Sequence, residues 1–233
     1  MRTGAGKLSS GGSWSREIKA IFTKELRADF RSKTGLLTSA LFGVFAVVAI
    51  SFATASVTLD PTNAAALFWV VLLFNSMIAL PRTFTAEEEL GTGDLLRLVA
   101  RPHAVFWGKM LYNLAQLLVS GVILGTMFFL FARVSVADPL LLALGLFGSC
   151  VTLAAGVTLS GALVAQASNR YALAAVVALP LLLPLTVIGV AALRVAFGEV
   201  GSTTGLRNGL GLLCYGIAAM AIGPYLYAQV WKE

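Results

Sequence analysis

Leu140–Gln166 reads LLLALGLFGSCVTLAAGVTLSGALVAQ and contains no charged residue. Past Asn169-Arg170 a second apolar run, Tyr171–Leu193, begins at once. A helix needs ~20 mostly apolar residues to cross a bilayer, because the hydrocarbon offers no water to stray backbone groups. Two such runs joined by a very tight turn predict a helical hairpin in a membrane. The whole chain agrees. Of its 233 residues 58% are hydrophobic and only 12% charged, and its mean hydropathy is +0.86. Soluble domains carry about twice that share of charge. One core could not hide so much oil, so a secreted, disordered or nucleic-acid-binding domain is excluded. Two cysteines and one histidine without paired spacing give neither a disulfide framework nor a zinc site.

Outward from the hairpin, four further runs qualify as spans: Leu36–Val57, Ala64–Leu80, Met110–Ala132 and Gly209–Trp231. Asp60-Pro61 separates the first pair, and Ala64–Leu80 is the shortest. The reading is an all-α integral membrane protein of six helices. Lysine and arginine set orientation. With the N-terminus inside, 14 of the 17 lie on the cytoplasmic side, and only Arg133, Arg194 and Arg207 fall outside. Both termini are therefore expected in the cytoplasm, and the +6 charge is mainly topogenic. No cleavable signal peptide is evident, since the first apolar run starts at Leu36 and is too long for one.

Residues 1–13 read as a disordered lead. In 14–33, Trp14, Ile18, Ile21, Phe22, Leu26 and Phe30 recur at helical spacing, with Lys and Arg on the other face. That pattern suits an amphipathic helix lying in the membrane interface; a charged tail that only fixes topology is the alternative. Residues 34–233 then form the membrane domain, with a cytoplasmic loop at 81–103.

That loop reads PRTFTAEEELGTGDLLRLVARPH. Thr85 can cap a short helix whose first turn carries Glu87, Glu88 and Glu89, where carboxylates suit the helix dipole. Gly91 and Gly93 end it. Asp94 can begin a second, with Leu95, Leu96, Leu98 and Val99 as its apolar face and Arg101-Pro102 as its stop. Such a surface suits docking to a cytoplasmic partner, or else it is a solvated loop. Nucleotide chemistry is not on this chain: Gly4-Ala5-Gly6-Lys7 lacks the phosphate-cradling spacing, so any ATPase is a separate subunit.

Lys109, Asn113, Gln116 and Ser120 share one helix face. Polar groups in lipid are costly, so this face meets helices or water. A wet cleft, a coupling element and plain interhelical hydrogen bonding are all open, with Lys109 snorkelling to the interface. Asn75 is a possible partner for the stripe. Gly121/Gly125 and Gly156/Ser160 permit close packing, within the chain or across a dimer. Pro180 and Pro184 should kink or break their span, and the segment 194–208 could form external half-helices. His103, without partners, reads as interfacial, and Cys150 and Cys214 as inert. No hydrolytic residue set and no metal site is present.

The segment FTAEEELGTGDLLRL (84–98), with Arg101-Pro102 and Trp107-Gly108-Lys109, resembles the first cytoplasmic loop of the heme exporter protein B (CcmB) family; LPLLLP (179–184) is similar too. The resemblance extends over nearly the whole chain beyond the first dozen residues. It implies the permease subunit of a cytochrome c maturation ATP-binding-cassette (ABC) complex in the bacterial inner membrane. The implied fold is a type-two exporter permease with an N-terminal elbow helix, assembled as a homodimer. The loop holding Glu87–Glu89 and Asp94 would seat on the ATPase subunit CcmA, with CcmC, CcmD and the heme chaperone CcmE as further partners. Heme is then a possible substrate, ATP belongs to the partner, and no cofactor is bound directly. Gly91-Thr92-Gly93-Asp94 departs from the continuing helix expected there, and no external histidine could hold heme. The alternatives are a permease for a lipid, drug or polysaccharide, and a non-transporting scaffold.

Overall fold

A computed structural model describes residues 14–32, 34–79, 83–84, 87, 91–164 and 170–231. The lead at 1–13, Thr85, Glu88, Glu89 and Asn169 lie outside the described residues. The chain is all-α. In order come α1 (Trp14–Ser32), α2 (Thr34–Ala53), α3 (Pro61–Ala79), α4 (Gly93–Val99), α5 (Pro102–Phe131), α6 (Pro139–Val164), α7 (Arg170–Ala196) and α8 (Ser202–Val230).

Among the described residues four helices are long and apolar enough to cross a membrane, within α3, α5, α6 and α8. The shorter apolar segments Leu37–Ala53 and Pro180–Ala196 lie in α2 and α7. Together they coincide with the six apolar runs of the sequence.

Helix starts follow local chemistry. The Asp60 side chain accepts the Asn63 amide at 3.2 Å, and Asp138 Oδ1 accepts the Leu140 and Leu141 amides at 3.0 Å each. In both cases proline follows, where its missing donor costs nothing. Pro102 likewise sits in the first turn of α5. It therefore opens that helix, which runs unbroken through His103 and Lys109 rather than starting near Met110.

α6 is the hub. Every residue from Gly148 to Ala162 is buried, and the helix packs on α5, α7 and α8. Glycines make the α6–α8 approach possible. A side chain at Gly216 would meet Val151 Cγ1 at 2.7 Å, and one at Gly209 would meet Leu144 at 2.9 Å. The Thr152 hydroxyl donates to the Leu212 carbonyl at 2.6 Å. The small pairs noted in the sequence also face inward: Gly121 lies against Cys150, Gly125 against Phe68 and Gly156 against Leu182. They pack within one chain.

α7 runs through Pro180 and Pro184 without a break, and both prolines are exposed. One expectation is corrected. The segment 194–208 forms no half-helices: α7 ends at Ala196, a short connector carries Gly198 (φ +112°) and Gly201 (φ +131°), and α8 starts at Ser202. At that connector Arg194 pairs with Glu199 at 3.1 Å, and Thr62 donates to Glu199 at 2.9 Å.

Candidate functional site

α5 spans 30 residues, roughly 45 Å at 1.5 Å per residue. Counted back from Phe131, a hydrocarbon core of ~30 Å uses about 20 residues, which puts Lys109 at its edge. A lysine there is expected to snorkel. It does not: its side chain is 0% exposed.

A buried ammonium needs compensation, and Lys109 finds it on two other segments. It donates to the Thr83 carbonyl and pairs with Glu87 Oε2 at 2.7 Å. Glu25 Oε1 of α1 lies 3.3 Å away. The Phe84 ring faces the ammonium, with its centroid at 4.8 Å, a cation–π contact. Lys24 completes the cluster, 3.0 Å from Glu25 Oε1 and hydrogen-bonded to Glu87 Oε1. Two cations and two carboxylates balance. Glu25 Oε1 sits within ion-pair distance of both ammoniums but outside hydrogen-bond geometry. Burial works to lower the Lys24 pKa, but the charges of Glu25 and Glu87 and the hydrogen bond to Glu87 outweigh it, so it rises above the usual lysine value.

The same face of α1 carries more such contacts. Glu17 approaches Arg101 at 3.7 Å, and Asp29 accepts a hydrogen bond from the Tyr112 hydroxyl. Glu17, Ile21, Glu25 and Asp29 follow at i, i+4, i+8 and i+12, one ridge of a helix. Their partners Arg101, Gly108, Lys109 and Tyr112 ascend α5 in the same order, so α1 and α5 run in the same direction. Gly108 sets the distance: a side chain there would meet Ile21 Cβ at 2.7 Å. Phe22 stacks edge-on against Tyr112, with centroids 6.4 Å apart. Of the apolar stripe read in α1, Ile21 is buried here, while Trp14, Leu26 and Phe30 stay exposed.

Below Thr83, aromatic rings hold the 83–87 segment. Phe84 packs on Tyr227 (5.3 Å) and Phe106 (6.5 Å), and Tyr227 on Trp231 (5.3 Å). Gly91 has φ +65°, a conformation that favours glycine, and the Thr92 amide donates to the Glu87 carbonyl at 2.9 Å. The short helix expected from Thr85 lies outside the described residues; Gly93 opens α4, and Asp94 is its second residue. α4 presents Leu95 (64% exposed), Leu98 (84%) and Val99 (79%) outward, while Arg97 lies 6.0 Å over the Trp231 ring.

The polar stripe of α5 divides among several neighbours. Asn113, fully buried, donates to Thr158 Oγ1 of α6 at 2.8 Å and to Thr83 Oγ1 at 3.3 Å. Asn75 of α3 donates to Ser120 at 3.0 Å. Gln116 instead lines a groove with α1 and α2. His103 stacks edge-on against Tyr225 at 5.4 Å. Among the described residues no cluster of His, Cys, Asp or Glu could hold a metal.

So Lys109, Asn113 and Glu87 come together. Gln116, Ser120 with Asn75, and the two prolines lie elsewhere. Sequence reasoning missed Lys24, Glu25, Asp29, Tyr112 and Thr83. The signal for two of them was available: Glu25 and Asp29 follow Glu17 at spacings of eight and four residues, which puts the acids on one ridge of α1 with Ile21.

Residues 16–231 match a family described as CcmB protein. No curated protein matches the chain.

Proposed function

The chain belongs to the CcmB family, so it is a multi-pass membrane permease subunit of a cytochrome c maturation, heme-exporter ABC complex, and we propose that the Lys109 cluster is where it receives force from a separate ATPase. The single observation behind this reading is that Lys109 joins α1, the 83–87 segment and α5 through ion pairs at 2.7 and 3.3 Å. A push on the loop then moves α1 and the first turns of α5 together as one rigid body. Interfaces of this kind pass on displacement because they have discrete packed arrangements.

The docking contact in this reading is apolar. Both oxygens of Glu87 are engaged inside the chain, so this residue anchors the loop from within. Leu95, Leu98 and Val99 form the outward face of α4, and the ATPase, CcmA in this family, seats there. The chain performs no reaction itself; nucleotide hydrolysis belongs to the partner. CcmC, CcmD and CcmE are the remaining partners, both termini and the loop face the cytoplasm, and the membrane is the bacterial inner one. The useful work is heme export or release of the heme-loaded chaperone. The lack of a histidine at the α7–α8 connector favours release, since heme has no axial ligand to find there.

Co-purification with the ATPase tests the assignment. Leu95→Ser with Leu98→Ser should abolish recovery of the ATPase while leaving the permease as thermostable as wild type. Undiminished recovery and ATPase stimulation would refute docking on α4. Cysteine labelling that places position 95 outside the cytoplasm would refute the orientation.

A further inference from the structure

Helices α1, α2 and α5 enclose a groove of about 340 Å³ that plays no part in the ion cluster. Leu26 and Phe30 line it from α1, Ala40 and Val44 from α2, and Val119 and Ile123 from α5. Its walls are almost wholly apolar, and four of these side chains are conspicuously open: Leu26 is 37% exposed, Phe30 62%, Val119 60% and Ile123 53%. Along α5 the lining runs from Tyr112 to Leu124, roughly 18 Å at 1.5 Å per residue. A long acyl chain has that length.

Charge decides what kind of molecule owns the chain. Arg16, Lys19 and Arg27 line one shallow depression on α1 together with Lys24. Lys24 is spoken for by Glu25 and Glu87. Among the described residues Arg16, Lys19 and Arg27 form no ion pair, and all three are exposed. At 100° per residue Leu26 and Phe30 lie beside this stripe, on the flank turned toward α2. The nearest carboxylate in the groove, Asp29, is occupied by the Tyr112 hydroxyl. Among the described residues, then, Arg27 adjoins the apolar slot, and Lys19 and Arg16 continue the line of cations without ion pairs along α1 away from it.

We propose that the α1–α2–α5 groove and the Arg16/Lys19/Arg27 stripe form a site for one anionic phospholipid, with an acyl chain in the groove and the phosphate on the stripe. Cations near a membrane surface attract anionic lipid, and apolar contact holds the chain. A protein segment would need an acidic head followed by an extended apolar tail inside the bilayer, where unpaired backbone groups are costly. Lipid has no such cost. The proposal is independent of the ATPase reading.

The full chain in nanodiscs of equal phosphatidylglycerol and phosphatidylcholine provides the test, with retained lipid counted by native mass spectrometry. The wild-type chain should keep one phosphatidylglycerol in preference to phosphatidylcholine. Arg16→Gln/Lys19→Gln/Arg27→Gln should cut that preference about a hundredfold, at roughly fivefold per cation removed. Ala40→Trp, which fills the groove and leaves the stripe intact, should release the lipid as well. Retained preference in the triple variant, retained lipid in Ala40→Trp, or displacement by inorganic phosphate would each overturn the proposal. So would a triple variant that loses ATPase co-purification while its lipid content stays unchanged.

Discussion

The Lys109 end and the α6 hub solve the same problem, bringing helices together in an oily setting, with opposite means. Around Lys109 the contacts are ionic, polar and aromatic, and they join segments as distant as Glu25 and Lys109. Around α6 they are small-residue contacts in which Gly209 and Gly216 let α8 come within reach of Leu144 and Val151. Ion pairs act at a distance, whereas close-packed faces lose much of their attraction on a shift of an ångström. One end of the molecule is thus held by balanced charge and the other by close fit.

The largest effect should come from removing the central cation. Lys109→Met leaves Glu25 and Glu87 facing each other, partly buried, with Lys24 alone to balance them, and should cost about 3–5 kcal/mol in thermal unfolding in detergent. Adding Glu25→Gln and Glu87→Gln should recover most of that loss, because it is the unbalanced charge that destabilises. If the triple variant is no better than the single one, packing rather than charge holds this end, and the contrast fails.

Next is the close-packed side. A side chain at Gly189 of α7 would meet the Trp69 ring at 2.2–2.5 Å. Gly189→Ala must displace a fully buried indole and should cost about 1–3 kcal/mol. The same measurement checks it; a neutral result would show that the α3–α7 face yields.

Smaller still is the Asn75–Ser120 hydrogen bond. Asn75→Leu should change stability by only about 0.6 kcal/mol, typical of such pairs between membrane helices. A loss several times larger would mean that α3 and α5 also depend on polar contacts.

Least of all should moderate pH matter. The folded pKa of Lys24 is raised, so its contribution is fully present below the unfolded value of 10.5 and fades only as pH rises through the folded one. Between pH 7 and 9, protease protection of α1 should hold steady. Release of α1 within that window would contradict the sign of the shift.

Much of the fold was legible. Runs of apolar residues and the Asp60-Pro61 break between the first two spans are local signals, and each appears where such signals place it. The site was half legible. Lys109, Asn113 and Glu87 stood out as polar groups in or beside spans, but their shared location did not, and Lys109 was assigned to water. Glu17, Glu25 and Asp29 were overlooked because an amphipathic pattern is judged by its apolar residues, and charge of either sign is counted as solvated.

The sequence by itself determined that this chain is a bundle of membrane helices, because hydropathy and capping act between residues a few positions apart. Only the tertiary structure decided that Lys109 is buried against Glu25 and Glu87, since a charge becomes tolerable in a dry place only when distant segments bring opposite charge to it. No local pattern encodes that meeting.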